Sequence, residues 1–400
     1  MSVPEPGQGG SGWQAHWVRW LQGDGYADLP AQRQIPTEGW DRVVGMPYLV
    51  YLPERNQVLM MVYLDYRPTR PAVMFSDDHG ETWTPPRLLH PQATNAANER
   101  LGVSLSYLGH GRVVYNDEGF RWFSADYGRT WPEQVAIAPG VSGKPWGGWQ
   151  WEPYLVDRDP ATGRVTRMAE VAYSHEGAAY PQMGYFSQAY IRFSDDEGLT
   201  WGTETAVPQW RGINEVALTR AANGDLVAGC RTDLPLWFRD PAHRPPGLHE
   251  PDLYSGFGIS ISRDNGGTWS EVRIVHDHGR HFSSMVLLPG GEIVMTYVVR
   301  IGYGHNLDGF PMFGIEAIAS HDHGATWDLE HRVILDEWTG NLRGPCSWYP
   351  SPQSTSTVLL PDHSLLTAYG RAYHCRPADD GSPGPPRDLG LVRWRYPGTG

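Results

Sequence analysis

Glu152, in Trp149-Gln150-Trp151-Glu152-Pro153, and Glu215, in Ile213-Asn214-Glu215-Val216, both stand at the entrance to a strand-like run. Asp65, two residues before Arg67, adds a third carboxyl at a comparable point. Cleavage of a glycosidic bond usually takes two carboxyl groups, one as acid and one as nucleophile or base, across an oxocarbenium-like transition state. Crowding among acids, or desolvation by Trp149 and Trp151, would keep one of them protonated. Four arginines, Arg67, Arg231, Arg300 and Arg371, each close a second apolar run, and together they suit a carboxylate or another anionic sugar group. The plainer alternative for these charges is an Arg–Glu network that holds loops in place. His175, His281 and His305 are candidate bases for elimination on a uronic acid, and His281 and Trp151 are also candidate substrate contacts. No His/Cys spacing fits zinc and no EF-hand loop is present, so no metal and no cofactor are expected.

Composition narrows the partners. The formal charge of -13 argues against nucleic acid and against an anionic membrane surface, both of which select basic patches. Lys144 is the sole lysine, which disfavours Schiff-base chemistry and leaves Arg as the carrier of positive charge. Three cysteines, Cys230, Cys346 and Cys375, are too few for a disulfide framework, with a Cys346–Cys375 bridge left open. No apolar run reaches transmembrane length and the start is not a signal peptide. The expectation is a soluble chain, cytoplasmic or secreted with its leader absent from this sequence.

The elements that must position these side chains announce themselves by repetition. The pattern S-x-D-x-G-x-T-W occurs five times, at Ser76 to Trp83, Ser124 to Trp131, Ser194 to Trp201, Ser262 to Trp269 and Ser320 to Trp327. In a hairpin turn the Asp carboxylate accepts backbone N–H bonds, the Gly takes a positive φ, and the Trp packs between sheets. Between the boxes, pairs of apolar runs joined by Pro/Asp/Gly turns read as inner strands. With 47 Gly and 34 Pro, the chain is turn-rich throughout. The predicted fold is all-β, a six-bladed β-propeller with Asp-box hairpins, its blades starting near Pro47, Gly102, Pro153, Glu215, Phe282 and Ser354. Residues 40–400 form the propeller. Residues 1–39 are an N-terminal segment, partly disordered, whose Trp13 to Leu21 stretch is available as a closing strand.

These boxes resemble the Asp-box of the sialidase superfamily, in which the turn joins the third and fourth strands of a blade, away from the active site. Asn214-Glu215, Asn223-Gly224-Asp225 and Arg231 resemble the sialidase segment carrying a glutamate and one carboxylate-binding arginine, with the same separation of sixteen residues. The resemblance implies that Glu215 assists the nucleophile and that Arg231 grips the substrate. It departs at Gly45-Met46-Pro47, where sialidases carry Arg-Ile-Pro, and at Ser354, where their tyrosine nucleophile opens the last blade. Tyr349 is the nearest tyrosine to that point. Trp151-Glu152-Pro153 is similar to an exo-arabinanase segment that bears a catalytic glutamate. The implied activity is an exo-acting glycoside hydrolase on an acidic or polar carbohydrate end, with strict sialidase activity not expected. A polysaccharide lyase using His or Tyr, or a non-catalytic glycan-binding propeller, are the alternatives.

Overall fold

The five Asp-boxes fold alike in the structure, a computed structural model that describes residues 12–40, 42–65, 70–89, 101–117, 119–138, 150–175, 186–243, 251–340, 343, 350–371 and 388–397. In each box the Ser hydroxyl accepts the Gly N–H at 2.7–2.9 Å. One Asp oxygen accepts the Thr N–H at 2.7–2.9 Å. The other accepts the Thr hydroxyl at 2.5–2.7 Å. These bonds hold the Asp264 carboxyl down at about 2. The residue before each glycine also lies in the left-handed region, as with Tyr127 (φ 63) before Gly128 (φ 81). The tryptophans pack inward: Trp269 lies 4.6 Å from Trp210 and Trp131 meets Tyr115 edge-on at 4.9 Å, ring centre to ring centre.

Each box ends the third strand of an antiparallel sheet. The first sheet is β3 (Val44–Leu52), β4 (Gln57–Leu64), β5 (Arg70–Ser76) and β6 (Arg87–Leu88). The second is β7 (Val103–Gly109), β8 (Arg112–Asn116), β9 (Phe120–Ser124) and β10 (Glu133–Ala136). The third is β11 (Leu155–Arg158), β12 (Val165–His175), β13 (Ser187–Ser194) and β14 (Thr205–Arg211). The fourth is β15 (Ile213–Arg220), β16 (Leu226–Thr232), β17 (Phe257–Ser262) and β18 (Arg273–His276).

A nine-stranded sheet completes the molecule. It runs β19 (Arg280–Leu287), β20 (Ile293–Val299), β21 (Met312–Ser320), β22 (Val333–Thr339), β1 (Gln14–Gln22), β2 (Gly25–Gln34), β25 (Leu389–Trp394), β24 (Leu365–Gly370) and β23 (Thr355–Leu359). The N-terminal hairpin thus lies between β22 and β25. The strand beyond β25 comes from the start of the chain, so no hairpin follows β25 and no sixth box is needed.

All the regular structure is strand apart from short 3-10 turns among the described residues, and the arrangement is propeller-like. The first strands of successive sheets lie side by side, β3 against β7, then β11, β15, β19, β23 and back to β3. Side-chain bonds tie this ring together: Tyr154 N–H to Ser106 Oγ at 2.8 Å, Leu49 N–H to Ser356 Oγ at 2.9 Å, and Thr357 N–H to Ser284 Oγ at 3.0 Å. Apolar clusters fill the space between neighbouring sheets, as where Leu59, Met61 and Val73 meet Leu105, Val113 and Tyr115. Because second strands run antiparallel to the third strands that the boxes close, second-strand ends lie at the opposite end of each sheet from the boxes.

Candidate active site

At that opposite end, β15 begins with a bulge. Between the pairs Ile213↔Thr232 and Val216↔Cys230, two residues, Asn214 and Glu215, face Arg231 alone. A bulge re-aims a side chain, and here it sets Glu215 against Arg231. Arg231 Nη1 donates to both Glu215 oxygens at 2.9 and 2.8 Å. The same two-against-one count recurs at Met46-Pro47 opposite Val62, Ser104-Leu105 opposite Tyr115, and Phe282-Ser283 opposite Tyr297. Met46, Ser104 and Phe282 all carry a positive φ there, a conformation that L-residues adopt at a cost.

Arg231 and Arg300 converge on one carboxylate. Asp252, on the 3-10 turn Pro251–Tyr254 between β16 and β17, accepts from Arg231 Nη2 with one oxygen and from Arg300 Nη1 at 2.6 Å with the other. Arg300 also donates to the carbonyls of Pro352 at 2.8 Å and Gln353 at 3.1 Å, and its side chain is 1% exposed. Burial alone would raise the Asp252 carboxyl, but Arg231 and Arg300 outweigh it and hold the group well below the usual carboxylate range. His281 lies fully buried beside the pair, with no hydrogen-bond partner on either ring nitrogen among the described residues. Burial first, then the two guanidiniums, push its pKa well down, so the ring is neutral.

Glu152 faces this cluster. Its residue surface is half-buried, yet loss of water around the carboxyl, followed by the charge of Glu215, pushes its pKa up to about 8 against the pull of Arg231. Tyr48, in the middle of β3 just past its bulge, donates its hydroxyl to the Trp151 carbonyl at 2.7 Å. Burial and the nearby charges of Glu152 and Glu215 raise that phenol well above its ordinary value. The Trp151 indole N–H bonds Tyr173 Oη at 3.1 Å, and its ring packs against apolar clusters from three parts of the ring of sheets. One site therefore gathers Glu152, Trp151, Glu215, Arg231, His281 and Arg300.

The other sequence candidates lie elsewhere. Asp65 is gripped by Arg42, at 2.8–3.1 Å, and by Arg70, and bonds none of the residues above. The Arg371 guanidinium sits 5.4 Å over the Trp338 ring. Strand register also separates the arginines: Arg231 faces the bulge, whereas Arg300 follows the end of β20, beyond Tyr297, the register counterpart of Arg231. The equivalence expected of the arginines thus fails for Arg231 and Arg300, which stand at different distances from a bulge that both sheets share. Arg67, Tyr349, Cys346 and Cys375 lie outside the described residues, as does the His175 side chain, and His305 is exposed. Among the described residues no group of His, Cys, Asp or Glu side chains is arranged to hold a metal ion, and no helix is long and apolar enough to cross a membrane.

Tyr48 and Asp252 escaped the sequence. Tyr48 sits in an apolar strand run and reads as core; Asp252 lies in an insertion with no counterpart in the repeat, marked only by Pro251 before it and aromatic Tyr254 after it.

Comparison with known proteins agrees with this geometry at the level of fold. The BNR/Asp-box repeat family matches residues 74–85. No curated protein matches the chain by sequence. A protein of unknown function from Dyadobacter fermentans superposes with a TM-score of 0.60 at 16% identity, covering 89% of this chain and 96% of that one. The Hadza microbial sialidase Hz136 follows at 0.56 and 15%, covering 88% and 66%. Trypanosoma rangeli sialidase gives 0.51 and 13%, covering 97% of this chain and 59% of that one. The chain carries a match to the Asp-box repeat, shares the propeller-like fold of these sialidases and spans about three fifths to two thirds of their length.

Proposed function

We propose that the chain is an exo-acting glycoside hydrolase on a six-bladed propeller. In this account the nine-stranded sheet is two blades joined through the β1–β2 hairpin, with residues 1–39 closing the ring formed by residues 40–400. The observation that carries the functional reading is the pairing of unlike carboxyls. Glu152 is pushed up to about 8 beside Glu215, both of whose oxygens accept from Arg231. Two carboxyls in such unlike surroundings, one short of water and one bound to a guanidinium, suit the two roles that glycoside hydrolysis requires. Glu152 then protonates the leaving oxygen, while Glu215 and the adjoining Tyr48 phenol face the reacting carbon. Trp151 supplies a flat apolar surface for the sugar ring. Arg231 and Arg300 order the site, with His281 packed neutral behind them. Asp65, bound by two arginines, and Arg371, stacked on Trp338, are kept for binding more distant parts of a glycan; so is Arg67. Tyr349 is not needed for this mechanism.

The test is a reducing-end and ultraviolet assay against aryl glycosides, arabinans, sialosides and uronic-acid polymers. Sugar release without new absorbance is expected, with Glu152→Gln slowing turnover by about 100-fold or more. The rate should fall as pH rises past about 8, where Glu152 loses its proton. Unchanged turnover in both Glu152→Gln and Glu215→Gln would sink this reading, and a product absorbing in the near ultraviolet would replace it with elimination.

A further inference from the structure

Two buried guanidiniums that converge on one point are suited to a carboxylate, and here the chain fills that point itself. Asp252, 6% exposed, gives one oxygen to Arg231 and one to Arg300, and these arginines also donate to Glu215, Ser255 and the carbonyls of Pro352 and Gln353. Among the described residues the cluster sets two arginines, Arg231 and Arg300, against two carboxyls, Glu215 and Asp252. A second anion brought in here would meet guanidiniums already engaged by carboxyl oxygens, so the loss of its own water would go without a matching gain. An uncharged sugar hydroxyl meets no such penalty and still finds acceptor oxygens on Glu215, Asp252 and Tyr48, whose own proton goes to the Trp151 carbonyl.

We propose that the sugar taken at this site is uncharged, and that Asp252 sets this preference by standing between Arg231 and Arg300 where a substrate carboxylate would otherwise bind. The inference rests on the glycan-processing reading above and narrows its substrate from acidic or polar to polar and neutral. Asp252 is a specificity residue in this account and touches the arginines, not the scissile bond. The same argument explains how a chain can keep two inward arginines without selecting sialosides or uronates.

The experiment reads binding, so that it stands apart from turnover. Wild type and Asp252→Asn are titrated calorimetrically with two matched pairs: glucuronic acid and glucuronamide, and N-acetylneuraminic acid and its primary amide. Thermal melting of both proteins is followed in rising sodium acetate, at constant ionic strength set with sodium chloride. Wild type should favour the amide of each pair, or bind neither member, and its melting should not respond to acetate. Asp252→Asn should shift the acid-to-amide preference toward the acid by about tenfold or more, and acetate should raise its melting temperature by restoring the negative charge that the variant lacks. Tighter binding of either acid than of its amide by wild type overturns the proposal. So does acetate that stabilises wild type as much as the variant, or that leaves the variant unmoved. If Asp252→Asn does not fold, the acid and amide titrations of wild type, with its acetate response, decide alone. Failure to hydrolyse any glycan counts against the hydrolase and leaves these outcomes intact.

Discussion

A carboxyl in the surroundings of Glu152 makes folding sensitive to base. Its folded value of about 8 lies above its ordinary 4.5, so between those limits the unfolded chain gives up a proton that the folded protein keeps. Stability contributed by the protonated group is complete below about 4.5 and is lost as pH climbs through about 8. Glu152→Gln, which has no proton to lose, should escape this. The melting temperature of the variant should match wild type near pH 4.5, then exceed it by a margin that widens up to pH 8 and stays level above. A constant margin at every pH would mean that Glu152 is not the group held protonated. Glu152, Glu215 and Arg231 were legible in the sequence because short motifs and a sixteen-residue spacing carry them. Tyr48 was not, because a phenol within Pro47-Tyr48-Leu49-Val50 is indistinguishable from core until the strand is placed against Glu152. Nor was the tie of Asp65 to Arg42, a contact across 23 positions that no local pattern encodes.

At the scale of the element, the Asp-box and the bulge behave oppositely. The box is a local object whose bonds close within a few residues, so its pattern alone foretells its fold. The bulge is a miscount between two strands, and an extra residue leaves no mark in either strand read singly; pairing counted from the bulge sets Tyr297, not Arg300, level with Arg231, so two arginines that looked equivalent are not. The box glycines allow a direct check. Gly128 and Gly198 have nearly the same backbone, φ 81 and 86, but a Cβ on Gly128 would meet Leu59 Cδ2 at 2.6 Å while one on Gly198 would stand an ordinary 3.5 Å from Met168. Both Gly→Ala changes should cost about 1–2 kcal/mol for a left-handed L-residue. Gly128→Ala should add about 1–3 kcal/mol of overpacking, because a buried leucine must move aside. Melting should therefore rank wild type above Gly198→Ala and Gly198→Ala above Gly128→Ala. Equal melting of the two variants would show that the Leu59 contact is relieved without cost.

Across the whole molecule, the N-terminal hairpin does what no internal repeat can. β2 pairs with β25 through Gln32↔Arg393, Arg33↔Val392 and Gln34↔Leu391, while β1 meets β22 at Arg19↔Ile334 and Trp20↔Val333. Side chains reinforce both seams. Arg33 reaches the buried Asp336 at 3.1 Å, Arg19 reaches Glu337 at 3.1 Å, and Gln34 donates to the Glu81 carbonyl at 2.9 Å, while Val18 is wholly buried. Deleting residues 1–36 would leave β22 and β25 as open edges, strip Asp336 of its arginine, and uncover the apolar surface under Val18. Unpaired strand edges invite pairing between chains. The truncated chain should melt below the full-length protein and self-associate in size-exclusion chromatography. Because the lost strands bind by backbone pairing, a synthetic peptide of residues 12–36 should restore part of the melting temperature and return the chain to its original size. A truncated chain that melts like the full-length protein would show that the ring closes through the packing of β19 and β20 on β23 alone, where Thr296 of β20 bonds Thr355 and Thr357 at 3.1 and 2.8 Å. Those two threonine bonds join inner strands only, whereas the hairpin spans the outer half of the sheet, so closure by both routes predicts a truncated chain whose site stays assembled longer on heating than its outer strands.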